Sequence, residues 1–159
     1  MNDRMRTAWH ESGHAVVACA LGVPLRTAVI LDADGSCGKT YLKSSDADAA
    51  TLALIYLAGP IAARRADPAG PGDLGAADRI YASELLREAG DDADTLAAVV
   101  AMAEREAARL VDRLWPAISQ AAAVLMRDGY VTDDDIRTLM KEERSHVLDL
   151  HQPANDDRP

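Results

Sequence analysis

The sequence predicts a mainly α fold with a small β-hairpin or sheet, and three observations lead there. Hydrophobic residues make up 48% of the chain and aromatics only 4%, with no Phe, so Ala, Leu and Val must fill the interior, which suits closely approaching helices. Long stretches with apolar interiors are bounded by capping and breaking residues. In one place only, two strand-like runs flank a turn-forming segment. At 159 residues the chain is long enough for one domain with a real core. We expect that domain over residues 1–146, followed by a polar, Pro-containing tail at 147–159 that lacks the means to fold.

The elements follow in order. A first helix is expected from about Asp3 to Leu21, closing at Gly22 with Pro24 just beyond. Its second half, AVVACAL, is apolar on every side and predicts a central, buried helix. LRTAVIL (Leu25 to Leu31) and CGKTYL (Cys37 to Leu42) flank DADGS and predict a hairpin or two adjacent strands. Ser45 or Asp46 can cap a second helix running to the ARR segment, after which DPAGPG (Asp67 to Gly72) breaks the chain. A third helix is expected from near Asp73, and a long fourth from Asp92 to about Arg127 with Pro116 as a kink or break. The last begins at Thr132 as N-cap, with acids in its first turn.

Charge and composition exclude several functions. A formal net charge of −9 argues against general affinity for nucleic acid or anionic lipid. The two cysteines, Cys19 and Cys37, lack the spacing of a disulfide scaffold or a Cys-rich zinc site and are expected as buried or half-buried reduced thiols. No signal-peptide pattern is visible, and the most apolar segment, Ala49 to Ala63, is short for a membrane span and contains Gly59-Pro60. The expected location is cytoplasmic.

The segment WHESGHAVVA (Trp9 to Ala18) carries the chemistry. Residues four apart share a helix face, so His10 and His14 can reach a single ion. Zinc accepts neutral imidazole nitrogens, and a catalytic site needs three protein ligands and an open position. Glu11, beside a ligand but not itself one, is placed to move a proton between water and a leaving amine. Gly13 leaves room for a neighbouring backbone. The bland reading of the same residues is two exposed histidines beside a solvated glutamate. For the third ligand, the residues alone leave Asp67, Asp73 and Asp78 open.

HESGHAVVACALG resembles the active-site helix of the FtsH-like family of zinc metalloproteases, whose motif reads His-Glu-Ala-Gly-His-Ala. DADGSCGKTYL resembles that family's strand pair, and LAGPIAARRA its Leu-Gly-Gly-x-Ala-Ala helix. GPGDLGAADRIYASELL resembles its Asn-Asp-Leu segment, and the helical C-terminal half, ending in YVTDDDIRTLM, has the matching layout. The likeness spans roughly Arg6 to Met140. It implies a zincin-like peptidase domain with Zn²⁺ held by His10, His14 and Asp73, with Asp78 as runner-up. Glu11 would be the catalytic base, and Gly38, Lys39, Thr40 and Tyr41 would lie along an extended substrate. This chain departs from the family in having Gly72 where the family has Asn, and Ala63 and Arg64 near the place of an acidic pair.

The family's protease usually has membrane spans and an ATPase module ahead of the peptidase. Here Gly38-Lys39-Thr40 lacks the upstream spacing of a nucleotide loop and reads as strand. The resemblance therefore implies a polypeptide substrate, with a separate AAA ATPase or a homo-oligomeric ring needed for stable targets. A rival reading is a non-catalytic interaction module of peptidase fold, still able to bind zinc, that recruits unfolded chains or an ATPase. A third is a zinc hydrolase acting on a non-peptide amide. Trp9 and Trp115 read as helix-packing residues, Tyr41 as a cross-strand contact or an oxyanion donor, and His146 and His151 as exposed.

Overall fold

The computed structural model describes residues 1–33, 37–43, 46–70, 75–89 and 92–149, with side chains as far as 142. Helix α1 (Asp3–Ala20) is capped by Asn2, whose side chain accepts from the Met5 N–H, and it ends at Gly22 with φ 78°. From Thr7 to Cys19 every residue except Trp9 is buried, as the all-round apolar pattern requires. Strands β1 (Leu25–Ile30) and β2 (Gly38–Leu42) follow, then α2 (Ala49–Ala66) and α3 (Ala76–Leu85). A 3₁₀ turn at Arg87–Ala89 leads to α4 (Ala93–Arg113), α5 (Trp115–Asp128), β3 (Tyr130–Thr132) and α6 (Asp133–Asp149).

Three features differ from the sequence reading. The cap of α2 is Asp48, which accepts from the Thr51 N–H at 2.7 Å; neither Ser45 nor Asp46 is that cap. Helix α3 starts at Ala76, behind Gly75 with φ 90°, and not near Asp73. The long fourth stretch does break near Pro116, one of the two outcomes expected there: α4 gives way to α5 at Leu114, and Pro116 enters the first turn of α5, where a missing N–H costs nothing. Third, shorter than any pattern could flag, β3 turns the hairpin into a three-stranded antiparallel sheet of order β2-β1-β3. Thr132 does cap α6: its hydroxyl accepts from the Asp135 N–H, and Asp135 reaches back to the Thr132 N–H at 2.9 Å. The expectations for His146, His151 and the tail lie outside the described side chains.

Helix α1 crosses the middle of the molecule, packed on α2, α5 and the sheet. A Cβ on Gly13 would lie 2.6 Å from the Ala58 carbonyl oxygen, so the α1–α2 crossing depends on hydrogen at that position. In β1, Leu25 and Ala28 both face the core although three residues apart, because a register shift between Leu25 and Thr27 inserts an extra residue. Leu25, Ile118, Leu125 and Ile136 are fully buried there, each contributing roughly 1.5–3 kcal/mol. Trp9 and Trp115 do pack helix on helix, their rings stacked at 4.7 Å, with the Arg65 guanidinium over Trp115 and paired to Asp112. A smaller core of Ala53, Leu57, Ala82, Leu86 and Ala107 joins α2, α3 and α4. Among the described residues, no helix is long and apolar enough to cross a membrane.

Cys19 is buried and Cys37 is exposed, so only the first fits the expectation of a covered thiol.

Candidate metal centre

His10 and His14 project from the middle of α1, one turn apart, and meet Asp78 from the first turn of α3. The two imidazole Nε2 atoms are 3.0 Å apart. Asp78 Oδ2 lies 3.1 Å from His10 Nε2, and Oδ1 lies 3.6 Å from His14 Nε2. One ligand atom from each of the three residues falls within 4.8 Å of the others. His10, Glu11 and His14 are 9%, 5% and 6% exposed, which rules out the reading of solvated helix histidines.

The tautomer of His14 follows from its partners. Its Nδ1 lies 2.7 Å from the Ile55 carbonyl oxygen, which can only accept, so the proton is on Nδ1. Nε2 then carries the lone pair that faces His10 and Asp78. Burial, and then the neighbouring His10, lower the His14 pKa and keep the ring neutral. Burial works against ionisation of Asp78, but the hydrogen bond with His10 and the imidazoles beside it outweigh that and hold its pKa down. The Nε2 atoms of two imidazoles and one carboxylate converge in a buried place, and once His10 Nε2 gives up the proton it shares with Asp78 they form a donor set of the kind that suits zinc. The fixing of His14 by a backbone carbonyl is the usual orienting contact of a metal-binding imidazole. His10 Nδ1, by contrast, is buried and has no hydrogen-bond partner among the described residues.

Helix α2 is shaped to receive this site. Pro60 has no N–H to offer the Tyr56 carbonyl, so the helical ladder is interrupted next to Ile55, whose oxygen holds His14. Gly59 lies under the His14 ring: a Cβ there would sit 2.3 Å from Nε2. Further along, the Pro60 ring packs on Gly75, the residue that starts α3 and so places Asp78.

Glu11 points the other way, toward β2. The Thr40 hydroxyl donates to its Oε2 at 2.7 Å, and a Cβ on Gly38 would collide with Glu11 Cγ at 2.6 Å. Burial raises the Glu11 pKa; His14 and the Thr40 hydrogen bond oppose that in part. His10, His14, Asp78, Glu11 and β2 share one cavity of about 520 Å³. Gly38, Lys39 and Thr40 line it, whereas Tyr41 is not among its lining residues and stands 38% exposed with Lys39 Nζ 5.2 Å from its ring centre.

Of the three candidate acids, Asp67 is engaged with Arg6 at 3.5 Å, Asp73 lies outside the described residues, and Asp78 meets the histidines. Sequence reasoning had no sign of the Ile55 carbonyl or of Gly59; the Gly-Pro pair inside an apolar helix was the one available signal. Compared with protein-family models the chain matches none, and no curated protein matches it significantly.

Proposed function

We propose that the chain is a zinc-dependent metalloendopeptidase that hydrolyses peptide bonds of extended or unfolded polypeptides. The observation that carries this reading is the meeting of His10, His14 and Asp78 in one cavity with the buried Glu11 carboxylate. The likeness of the HESGH helix and the segments after it to the FtsH-like peptidase domain points the same way, as does a mainly helical chain with one small sheet. On this reading the domain is zincin-like, and Asp78 takes the place that the resemblance gives to Asp73.

His10 Nε2, His14 Nε2 and an Asp78 oxygen would hold the zinc, which when bound supplies Lewis acidity to a substrate carbonyl and to the attacking water. Glu11 accepts one proton from that water as its oxygen bonds to the carbonyl carbon. The same carboxylate returns the proton to the amide nitrogen as the C–N bond breaks, leaving a carboxylic acid and an amine. Thr40 holds Glu11 in position, and the buried surroundings keep bulk water from competing for its proton. β2 is an edge strand of the sheet and contributes Gly38, Lys39 and Thr40 to the cavity wall. An extended chain can add to that edge through backbone hydrogen bonds, which gives affinity with little sequence demand.

Opening a stable target costs roughly 5–15 kcal/mol, and this sequence contains no nucleotide-binding loop. A separate AAA ATPase, or a homo-oligomeric ring docked on one, supplies that work on this reading. The test offers zinc-loaded protein, without ATP, a permanently unfolded chain and a stable folded domain carrying the same cleavable segment. Cleavage of the unfolded chain alone is expected. Cleavage of neither contradicts the peptidase reading and favours a non-catalytic interaction module.

A further inference from the structure

Helix α4 carries an exposed face that has no part in the chemistry above. Asp94, Ala98, Met102, Arg105 and Arg109 fall on one side of it, and all of them are exposed. Met102 is 63% exposed, a large apolar side chain left wet in the middle of a 21-residue helix. Beside it, between α4 and α2, is a hollow of about 540 Å³ whose lining includes Leu54, Leu86, Val99 and Ala103. A protruding apolar side chain and an apolar hollow thus lie side by side. Charge along the same face is divided by position, with Asp94 in the first turn and Arg109 and Arg113 toward the end. Among the described residues Asp94, Arg105 and Arg113 have no ion-pair partner, and Arg109 pairs with Glu106 one turn away in solvent.

We propose that a second copy of this chain packs on this face, the two α4 helices running antiparallel across a two-fold axis at Met102. A two-fold contact needs a self-complementary surface, and α4 offers one in shape and in charge. Each copy sets its Met102 into the hollow beside the other's, which covers apolar surface that is wet on both. Asp94 precedes Met102 by eight residues and Arg109 follows it by seven, about 12 Å and about 10 Å along the axis at 1.5 Å per residue. Antiparallel pairing therefore brings Asp94 of each copy against Arg109 of the other, whereas parallel pairing would set like charges together. Giving up the Arg109–Glu106 pair costs little, because it is exposed. Each chain carries a net charge of −9, which opposes association at long range, but salt at about 0.15 M screens charges more than about 8 Å apart. Close contacts on the α4 face then decide the outcome. The hollow shares no lining residue with the metal cavity, so the closed pair leaves that cavity open.

The test is sedimentation equilibrium of the full chain from about 1 μM to about 1 mM in about 0.15 M salt, with the folding of every variant checked by circular dichroism. A single monomer–dimer equilibrium is expected. Met102→Asp should weaken it by at least about 10-fold while zinc content stays at the wild-type level. Asp94→Arg and Arg109→Asp each set like charges together at both contacts, so either alone should weaken the dimer by about 10- to 100-fold. An equimolar mixture of these two variants restores opposite charges at both contacts and should associate within about threefold of wild type. A chain that stays monomeric throughout the range, an open series of larger species, a dimer indifferent to Met102→Asp, or a mixture no better than its separate components overturns the proposal.

Discussion

The Thr40 hydroxyl on β2 donates a 2.7 Å hydrogen bond to the Glu11 carboxylate on α1, so the strand that lines the cavity also holds the proposed base. A hydrogen bond to a charged group is worth about 1.5–3 kcal/mol. Thr40→Val should therefore lower kcat by roughly 10- to 100-fold while zinc content stays at the wild-type level. Thr40→Ser, which keeps the hydroxyl, should restore most of the rate. Steady-state kinetics beside metal analysis checks this; equal kcat for Val and Thr at position 40 would remove Thr40 from the account.

Two glycines should separate the metal from the base. Alanine at Gly59 places a carbon 2.3 Å from His14 Nε2, so Gly59→Ala should displace the ligand and weaken zinc binding by about 10- to 100-fold. Alanine at Gly38 instead meets the Glu11 side chain at 2.6 Å, so Gly38→Ala should slow turnover with zinc retained. Competition with a chromophoric chelator measures the first effect and peptide hydrolysis the second. The reverse pattern would show that the helix and strand do not divide the work in this way.

The third ligand is open to a direct comparison. Asp78→Ala should weaken zinc binding by more than about 100-fold, whereas Asp73→Ala should leave it close to wild type. If Asp73→Ala releases zinc and Asp78→Ala does not, the ligand set is the one the family resemblance implies, and Asp78 is a neighbour only.

Stability should fall in acid for a reason away from the cavity. Asp133 accepts from the Leu25 N–H at 3.0 Å and from the Cys19 thiol at 3.2 Å, and it pairs with Arg137 at 2.5 Å. Burial opposes its ionisation, but these hydrogen bonds and the Arg137 charge hold its pKa at about 2. The same burial, with Asp133 alongside, pushes the Cys19 thiol up to about 12. Because the folded value of Asp133 lies below the unfolded one of about 3.9, its contribution is present above that pH and is lost as pH falls toward the folded value. Asp133→Asn should cost on the order of 1–2 kcal/mol near neutral pH, with the gap closing in strong acid. Urea unfolding of both proteins across that range tests it, and a gap independent of pH would contradict it.

What could be read in advance depended on how local the cause was. Helix α1 was legible because the apolar run and Gly22 act within the segment itself, and with it came His10, Glu11 and His14. Strand β3 was not, since only Val131 of its three residues is buried and one buried residue shows no period. The acid that meets the two histidines was legible only as a choice among several. Asp78 meets the histidines because α3 starts at Ala76 and Gly75 packs on Pro60, a contact between segments that no spacing reveals. The tautomer of His14 likewise depends on a carbonyl 41 residues away. The contact between the Tyr56 and Tyr81 rings likewise exists only once α3 lies against α2.

The central claim is that Glu11 moves the proton in peptide hydrolysis at a site built by His10, His14 and Asp78. The most direct measurement is the rate at which zinc-loaded wild type and zinc-loaded Glu11→Gln cleave one permanently unfolded polypeptide, followed by mass spectrometry of the fragments. Loss of a proton acceptor from a catalytic site removes about 10²–10⁴-fold in rate, so wild type should fragment the chain while Glu11→Gln, with its zinc in place, leaves it essentially whole. Equal rates from the two proteins, or no fragments from wild type, would contradict the account.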